Sequence, residues 1–185
     1  LFEWGVANCD LRYAMTEYQR QLFSGRGWSC AMYRNLILPR AFPHVGIKEV
    51  DFLWVSRCQS VKRPHLFLDL VQALPERSFK MICPKEDVGL WESVAKRAEA
   101  LPNLRFIEKV PYHEIQSRYD AARVFVNTSE WEGWPNSFIQ AGLGRTALLS
   151  LDVNPDGIFE RFGLGCFAGG DFEKLKSDAR GLRGF

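Results

Sequence analysis

One stretch of the sequence, from Asn127 to Gly142, could hold a ligand that combines an anion with hydroxyl groups. It follows a mostly apolar run at 123–126 and passes through a glycine and a proline into residues with helical spacing. The first N–H groups of a helix have no partner within it, and the helix dipole favours negative charge there. Glu132, just before this helix, would repel a phosphate at close range but can accept hydrogen bonds from hydroxyls beside it. The pattern therefore favours a phosphate joined to a polyol, as in a nucleotide sugar.

Alternating strands and helices must position these residues. From residue 50 onward, apolar runs predict strands at Val50–Val55, Phe79–Cys83, Leu104–Ile107, around Val124 and at Ala147–Leu151. Helices are predicted from Pro64, over Val88–Leu101 and Tyr112–Ala122, from Pro135 and near Phe159. Strands joined through helices pair in parallel, and ligands bind at the carboxyl ends of such strands. We therefore predict an α/β fold that brings residues following several strands to one edge of the sheet.

Residues 1–47 differ from the rest of the chain. Short strands at 11–15 and 29–33 flank a helix that Thr16 caps. The segment Leu36–Ile47 contains two prolines and a glycine, too many helix and strand breakers for a regular element. We therefore expect a linker here and a separate domain over residues 48–185. Because the chain opens on Leu1 rather than Met, we also expect it to be a piece of a longer protein.

The composition excludes several classes of protein. With 24 basic and 22 acidic residues the net charge is +2, so nothing favours nucleic acid as a partner. Five cysteines without a CxxC pair are typical of free thiols in a reducing compartment such as the cytoplasm. No apolar run approaches the ~20 residues of a membrane span. The histidines lack the spacing of a zinc site, so we expect no metal.

The sequence Glu132-Gly133-Trp134-Pro135-Asn136, with Gln140 eight positions after Glu132, resembles the E-x7-E segment of retaining glycosyltransferase family 4. Val55-Ser56-Arg57 followed by Lys62, the segment 102–107 and the segment 119–129 resemble further motifs of that family in the same order. The resemblance runs from about Asp51 to Leu175, with a weaker echo over Asn8–Asn35. It implies the GT-B fold, in which two Rossmann-like domains face each other. This chain would then supply the C-terminal domain, a Rossmann-like parallel sheet with helices on both faces.

The resemblance also implies roles for individual residues. Arg57 and Lys62 would clamp the donor diphosphate, and Glu132 would accept hydrogen bonds from the sugar hydroxyls. Backbone N–H groups would line the turn at Gly133, Trp134, Asn136 and Ser137. Gln140 would bind the ribose, and Lys109 and Val110 would contact the base. Arg63 competes with Lys62 for its role, and the family pattern favours Lys62.

Two departures from the family pattern weaken the expected nucleotide contacts. Gln140 stands where most members have Glu. The Gln side chain keeps one carbonyl acceptor but carries no charge. Cys83-Pro84 stands where a Gly-x-Gly loop is common, which puts a close approach of that backbone to the nucleotide in doubt. No Asp-x-Asp occurs in the chain, which argues for catalysis without a divalent ion or other cofactor.

The implied reaction moves a hexose from a UDP- or GDP-sugar to an acceptor hydroxyl with retention of configuration, as in polysaccharide biosynthesis. The acceptor, a glycan or a lipid-linked sugar, would bind a domain preceding this chain, so the chain alone should be inactive. Two alternatives remain open. One is a nucleotide-sugar 2-epimerase of the same fold, and the other is a non-catalytic nucleotide-sugar-binding module. The sequence leaves open whether the full protein, expected in the cytoplasm, contacts a membrane surface.

Overall fold

Residues 2–35 form a small unit in the computed structural model, which describes residues 2–35, 37 and 47–182. Two short strands, β1 (Tyr13–Ala14) and β2 (Ala31–Met32), pair in parallel; α1 (Phe2–Ala7) precedes them and α2 (Glu17–Ser24) connects them. The hydroxyl of Thr16 accepts a hydrogen bond from the Gln19 N–H (3.2 Å), as expected of the predicted helix cap. Apart from residues 37 and 47, the predicted linker Leu36–Ile47 lies outside the described residues.

A six-stranded parallel sheet organises the chain from residue 50 onward. Its strands are β3 (Val50–Val55), β4 (Phe79–Ile82), β5 (Leu104–Ile107), β6 (Ala122–Asn127), β7 (Ala147–Ser150) and β8 (Gly165–Phe167). They lie in the order β5-β4-β3-β6-β7-β8. The direction of strand progression therefore reverses between β3 and β6, and in such sheets ligands bind at the carboxyl ends of the strands beside that reversal. The predicted parallel α/β architecture is confirmed.

Helices cover both faces of this sheet. They are α3 (Pro64–Ala73), α4 (Val88–Glu99), α5 (Ile115–Asp120), α6 (Asn136–Leu143), α7 (Ile158–Phe162) and α8 (Phe172–Gly181). Buried side chains of α3, α4 and α8 join one hydrophobic core, and those of α5, α6 and α7 join the other. Along β3 the two cores alternate, because Phe52 and Trp54 enter the first and Leu53 enters the second.

The helix predicted over Tyr112–Ala122 is wrong at both ends. A 3-10 turn occupies Tyr112–Glu114, α5 ends at Asp120, and Ala122 already begins β6. Ala122 pairs with Val50 of β3, so sheet pairing overrides the intrinsic helix preference of alanine at this position.

The last strand, β8, was not predicted, because it is short and begins with a glycine rather than an apolar run. Gly165 has φ +140°, and a Cβ atom added there would lie 2.0 Å from the Leu148 carbonyl oxygen. Only glycine allows the backbone of β8 to come this close to β7. The helix α8 was also not predicted; its N-cap is Asp171, whose carboxylate accepts hydrogen bonds from the N–H groups of Glu173 (2.9 Å) and Lys174 (3.1 Å).

Candidate functional site

The loops that follow β3 and β6 meet at the reversal point of the sheet and are joined by hydrogen bonds. The indole Nε1 of Trp54, near the end of β3, donates to Thr128 Oγ1 just after β6 (2.9 Å). Thr128 Oγ1 in turn donates to the Lys62 carbonyl (2.8 Å), and the Glu130 N–H donates to the Val61 carbonyl (2.8 Å). Thr128 is fully buried, so the two bonds made by its hydroxyl are shielded from water. They bring residues far apart in sequence onto one rigid edge.

Glu132 is held in a fixed orientation at this edge. Its Oε1 accepts hydrogen bonds from Asn127 Nδ2 (2.8 Å) and Ser129 Oγ (2.7 Å), and its Oε2 lies 3.2 Å from Lys62 Nζ. The side chains of Lys62 and Glu132 are 17% and 18% exposed, which limits screening of their attraction by water. The structure therefore brings together two of the three residues predicted to do chemistry. Asn127 and Ser129 were not among the predicted site residues, although polar residues directly after a buried strand were a usable signal.

Arg63, the alternative to Lys62 for the diphosphate contact, is bonded to residues of neighbouring loops. Its backbone is left-handed (φ 47°, ψ 55°), and its guanidinium donates to the carbonyls of Thr128 (2.7 Å) and Ser129 (3.1 Å). It also forms an ion pair with Asp152, which follows β7. These bonds direct Arg63 into the loop contacts, whereas the neighbouring Lys62 reaches Glu132.

Arg57 lies at the same edge of the sheet but on the side of β4. Its side chain is 65% exposed, and its guanidinium lies 3.1 Å from Glu86, which also accepts a hydrogen bond from Gln59 Nε2 (2.5 Å). Among the described residues it contacts neither Lys62 nor Glu132. An exposed pair of this kind contributes at most about 1 kcal/mol, so Arg57 is free to turn toward a ligand.

The turn into α6 contains four of the predicted backbone donors: Gly133, Trp134, Asn136 and Ser137. Pro135 is the N-cap, so α6 begins at Asn136, one position later than predicted. The N–H groups of those four residues make no backbone hydrogen bond within the described part of the chain. This is the arrangement that favours an anion at a helix start.

The same turn packs against the N-terminal unit. The Arg34 guanidinium lies 4.8 Å from the centre of the Trp134 ring, and Asn35 Nδ2 donates to the Trp134 carbonyl (3.3 Å). A Cβ atom added at Gly133 would lie 2.8 Å from Met15 Cε. Trp134 is therefore a packing contact between the two units in addition to its predicted role.

The predicted nucleotide contacts lie further from Glu132. Gln140 is half-buried in α6, and its carbonyl accepts a hydrogen bond from Gln116 Nε2 (2.9 Å). Its side-chain amide makes no hydrogen bond to any other described residue. Lys109 is exposed and Val110 is packed against the second core, and both follow β5 at the sheet edge. The order β5-β4-β3-β6 leaves two strand spacings between β5 and the Lys62 loop, a distance suited to an extended ligand.

Cys83, at the second departure from the family pattern, lies beside Cys58, where the loops after β3 and β4 meet. It is fully buried with Cys58, and burial raises the pKa of both thiols, so both remain protonated at neutral pH. The Cys58 N–H donates to the Pro84 carbonyl (2.9 Å), and the Asp87 N–H donates to the Cys58 carbonyl (3.2 Å). The predicted free-thiol state of the five cysteines is confirmed.

The described residues contain no group of three or more His, Cys, Asp or Glu side chains that could hold a metal ion. The predicted metal independence remains a prediction. Within the same residues, no helix is both long and apolar enough to cross a membrane.

The model of the family described as Glycosyl transferases group 1 matches residues 41–155 of this chain. No curated protein matches this chain. The matched region contains β3 to β7 and both loops of the site.

Three solved structures illustrate the similarity of fold. A TarM mutant from S. aureus in complex with fondaparinux, alpha-GlcNAc-glycerol and UDP is 15% identical, with a TM-score of 0.74 over 92% of this chain and 36% of that chain. The pneumococcal O-GlcNAc transferase GtfA in complex with UDP and GlcNAc is 15% identical (TM-score 0.70; 96% and 38% covered). An α,α-trehalose-phosphate synthase (UDP-forming) from Burkholderia vietnamiensis is 14% identical (TM-score 0.72; 94% and 53% covered). The chain thus spans between 36% and 53% of the length of these structures.

Proposed function

Since the chain belongs to the group 1 glycosyl transferase family, we propose that it binds the nucleotide-sugar donor for transfer of a sugar to an acceptor hydroxyl. Its six-stranded parallel sheet with helices on both faces is the architecture of the C-terminal domains of GT-B glycosyltransferases. The observation that carries the proposal is the pair of Lys62 and Glu132 at the reversal point of the sheet, beside the start of α6.

In the proposed mechanism Lys62 and Arg57 bind the diphosphate and stabilise the charge that develops on it as the glycosidic bond breaks. Arg57 leaves Glu86 to do so. Glu132, oriented by Asn127 and Ser129, accepts hydrogen bonds from the hydroxyls of the donor sugar. The backbone N–H groups at the start of α6 add positive potential where sugar and diphosphate meet.

We further propose that the transfer retains the anomeric configuration, needs no divalent ion, and uses a hexose carried by UDP or GDP. UDP is favoured because two of the similar structures, TarM and GtfA, carry it. The retaining family 4 assignment is supported by the spacing of eight residues between Glu132 and Gln140.

We propose that different domains of the full-length protein bind the donor and the acceptor. Residues 48–185 form the donor domain, residues 1–47 belong to a preceding domain and a linker, and that preceding domain holds a glycan or lipid-linked sugar acceptor. The chain alone would then bind donor without transferring sugar. The setting is cytoplasmic polysaccharide biosynthesis, supported by free thiols throughout the described residues.

Titration calorimetry of the full-length protein with UDP, GDP, UDP-glucose and UDP-GlcNAc tests this function. We expect one base to be preferred, and nucleotide release to depend on an added acceptor. Conversion of UDP-GlcNAc to its 2-epimer without acceptor would instead identify an epimerase. Failure to bind any of the four compounds would refute the donor-site proposal.

Changing Gln140 to Glu tests the ribose contact. We expect UDP to bind about 3- to 10-fold more tightly, because a carboxylate accepts stronger hydrogen bonds from both ribose hydroxyls than an amide does. Calorimetry measures the change. Gln72→Glu, which adds the same charge on the exposed side of α3, should have no effect. The gain should vanish with 2′,3′-dideoxy-UDP, which lacks both hydroxyls, and an equal gain with that nucleotide would contradict the assignment.

A further inference from the structure

A cavity of about 190 Å³ opens on the side of Glu132 that faces away from the predicted base contacts. The loop after β6, the loop after β7 and the start of α2 line this space, which we call the Trp131 cavity. Glu132 borders both the Trp131 cavity and the cluster with Lys62. Ligand pockets for drug-sized molecules are usually 300 Å³ or larger, so this cavity suits a smaller group such as one sugar ring.

Two exposed aromatic side chains border the Trp131 cavity. Trp131 is 70% exposed and Tyr18 is 69% exposed. Leaving large apolar surface in water is unfavourable, and two such side chains beside one cavity offer an apolar surface that a ligand can cover. The electron-rich face of an aromatic ring attracts the partly positive C–H groups on one face of a pyranose ring. The aromatic pair therefore suits a sugar.

The polar lining suits hydroxyl groups and disfavours anions. Ionised carboxylates accept hydrogen bonds and cannot donate them, so they pair with sugar hydroxyls and repel phosphate. The cavity is lined by the side chains of Asn154 and four acids, Glu130, Glu132, Asp152 and Asp156. Its remaining lining residues include no basic side chain among the described residues.

Three of these acids are already held by cations outside the lining. Lys62 lies against Glu132, Arg63 against Asp152, and Arg34 against Asp156 (2.7 Å). The carboxylate of Glu130 makes no ion pair among the described residues. The lining thus carries a small excess of negative charge, which disfavours an acceptor that is itself anionic.

We propose that the Trp131 cavity is the acceptor subsite for an uncharged sugar ring, with Trp131 and Tyr18 stacking on its faces. This inference rests on the proposed function, because the shared Glu132 would place the acceptor ring beside the donor sugar. It assigns to the donor domain a share of acceptor recognition and distinguishes a neutral glycan from a sugar phosphate.

Saturation-transfer NMR of the full-length protein with methyl glucoside, methyl galactoside and methyl mannoside tests the subsite. We expect millimolar binding of at least one glycoside, about tenfold weaker binding by Trp131→Ala, and near-normal binding by Trp131→Phe. Trp4→Ala, which removes an equally exposed tryptophan (71%), serves as the matched control and should bind like the unmodified protein. The 6-phosphate of the bound glycoside should bind more weakly than its parent.

The glycoside and UDP binding measurements separate a failure of the acceptor-subsite proposal from a failure of the donor-site proposal. If glycosides bind equally to the unmodified protein and to Trp131→Ala, or if the 6-phosphate binds more tightly, the subsite proposal is overturned even when UDP binds. If Trp131-dependent glycoside binding is found, the subsite is supported even when UDP does not bind, and only the donor proposal fails.

Discussion

We expect replacement of Lys62 by alanine to lower the rate of sugar transfer by the full-length protein about 10- to 150-fold. The Lys62 side chain is only 17% exposed and its ammonium group lies against Glu132, so its attraction for a diphosphate is weakly screened. Loss of a charged hydrogen-bonding partner of this kind costs on the order of 1.5–3 kcal/mol, which corresponds to that change in rate. Steady-state kinetics with saturating acceptor measures the effect.

Three further variants define the role of Lys62. Lys62→Arg keeps the charge and should recover part of the activity, whereas Lys174→Ala, which removes a lysine paired with Asp178 on α8, should leave the rate unchanged. Arg57→Ala should have a smaller effect than Lys62→Ala, because its side chain is 65% exposed. A Lys62→Ala enzyme with normal turnover would rule out the diphosphate contact, and normal turnover in Arg57→Ala would rule out its share in the clamp.

The second large effect concerns stability. Arg63→Ala should lower the free energy of unfolding by about 2–4 kcal/mol, because two carbonyls and the Asp152 carboxylate lose a charged donor. The carbonyls belong to Thr128 and Ser129, which are 0% and 3% exposed, so water cannot readily replace the guanidinium. The left-handed backbone at position 63 is equally strained with either residue and does not contribute to the difference.

Urea denaturation of the two arginine variants gives a matched comparison. Arg57→Ala removes the same side chain six positions earlier and should change stability by less than about 0.5 kcal/mol, because among the described residues Arg57 pairs only with the exposed acid Glu86. The midpoint for Arg63→Ala should fall while the slope stays constant. Equal midpoints for the two variants would show that the bonds made by Arg63 do not stabilise the site.

The sequence predicted the sheet well where apolar runs are continuous. Val50–Val55 is a strand with the predicted bounds, since a buried parallel strand needs apolar residues on both faces. Leu104–Ile107 also has the predicted bounds, although it is an edge strand in which Arg105 is exposed. It failed at β8, where the close approach of Gly165 to Leu148 sets the strand and few side chains carry the signal. It also failed at Tyr112–Ala122, where pairing with β3 decides the conformation.

From the sequence, only those site residues that lie close together along the chain could be identified. Glu132 and the turn into α6 stand out in the sequence because one segment contains them. The choice between Lys62 and Arg63 has no basis in residue type, since both are cations in adjacent positions. The structure distinguishes them, because the Arg63 guanidinium donates to the carbonyls of Thr128 and Ser129 in the loop after β6, whereas Lys62 lies against Glu132. The Trp131 cavity needs three separate loops and is invisible from any one of them.

The adjacency of β3 and β6 has a consequence for how the protein acquires its structure. The hydrogen bond between Trp54 and Thr128 joins residues that are 74 positions apart in the sequence. The strands β4 and β5 with their helices lie between these two positions. Contacts between such distant positions carry a large loop-closure entropy and tend to form late in refolding. Recovery of nucleotide affinity after dilution from denaturant should therefore lag behind recovery of helical circular dichroism.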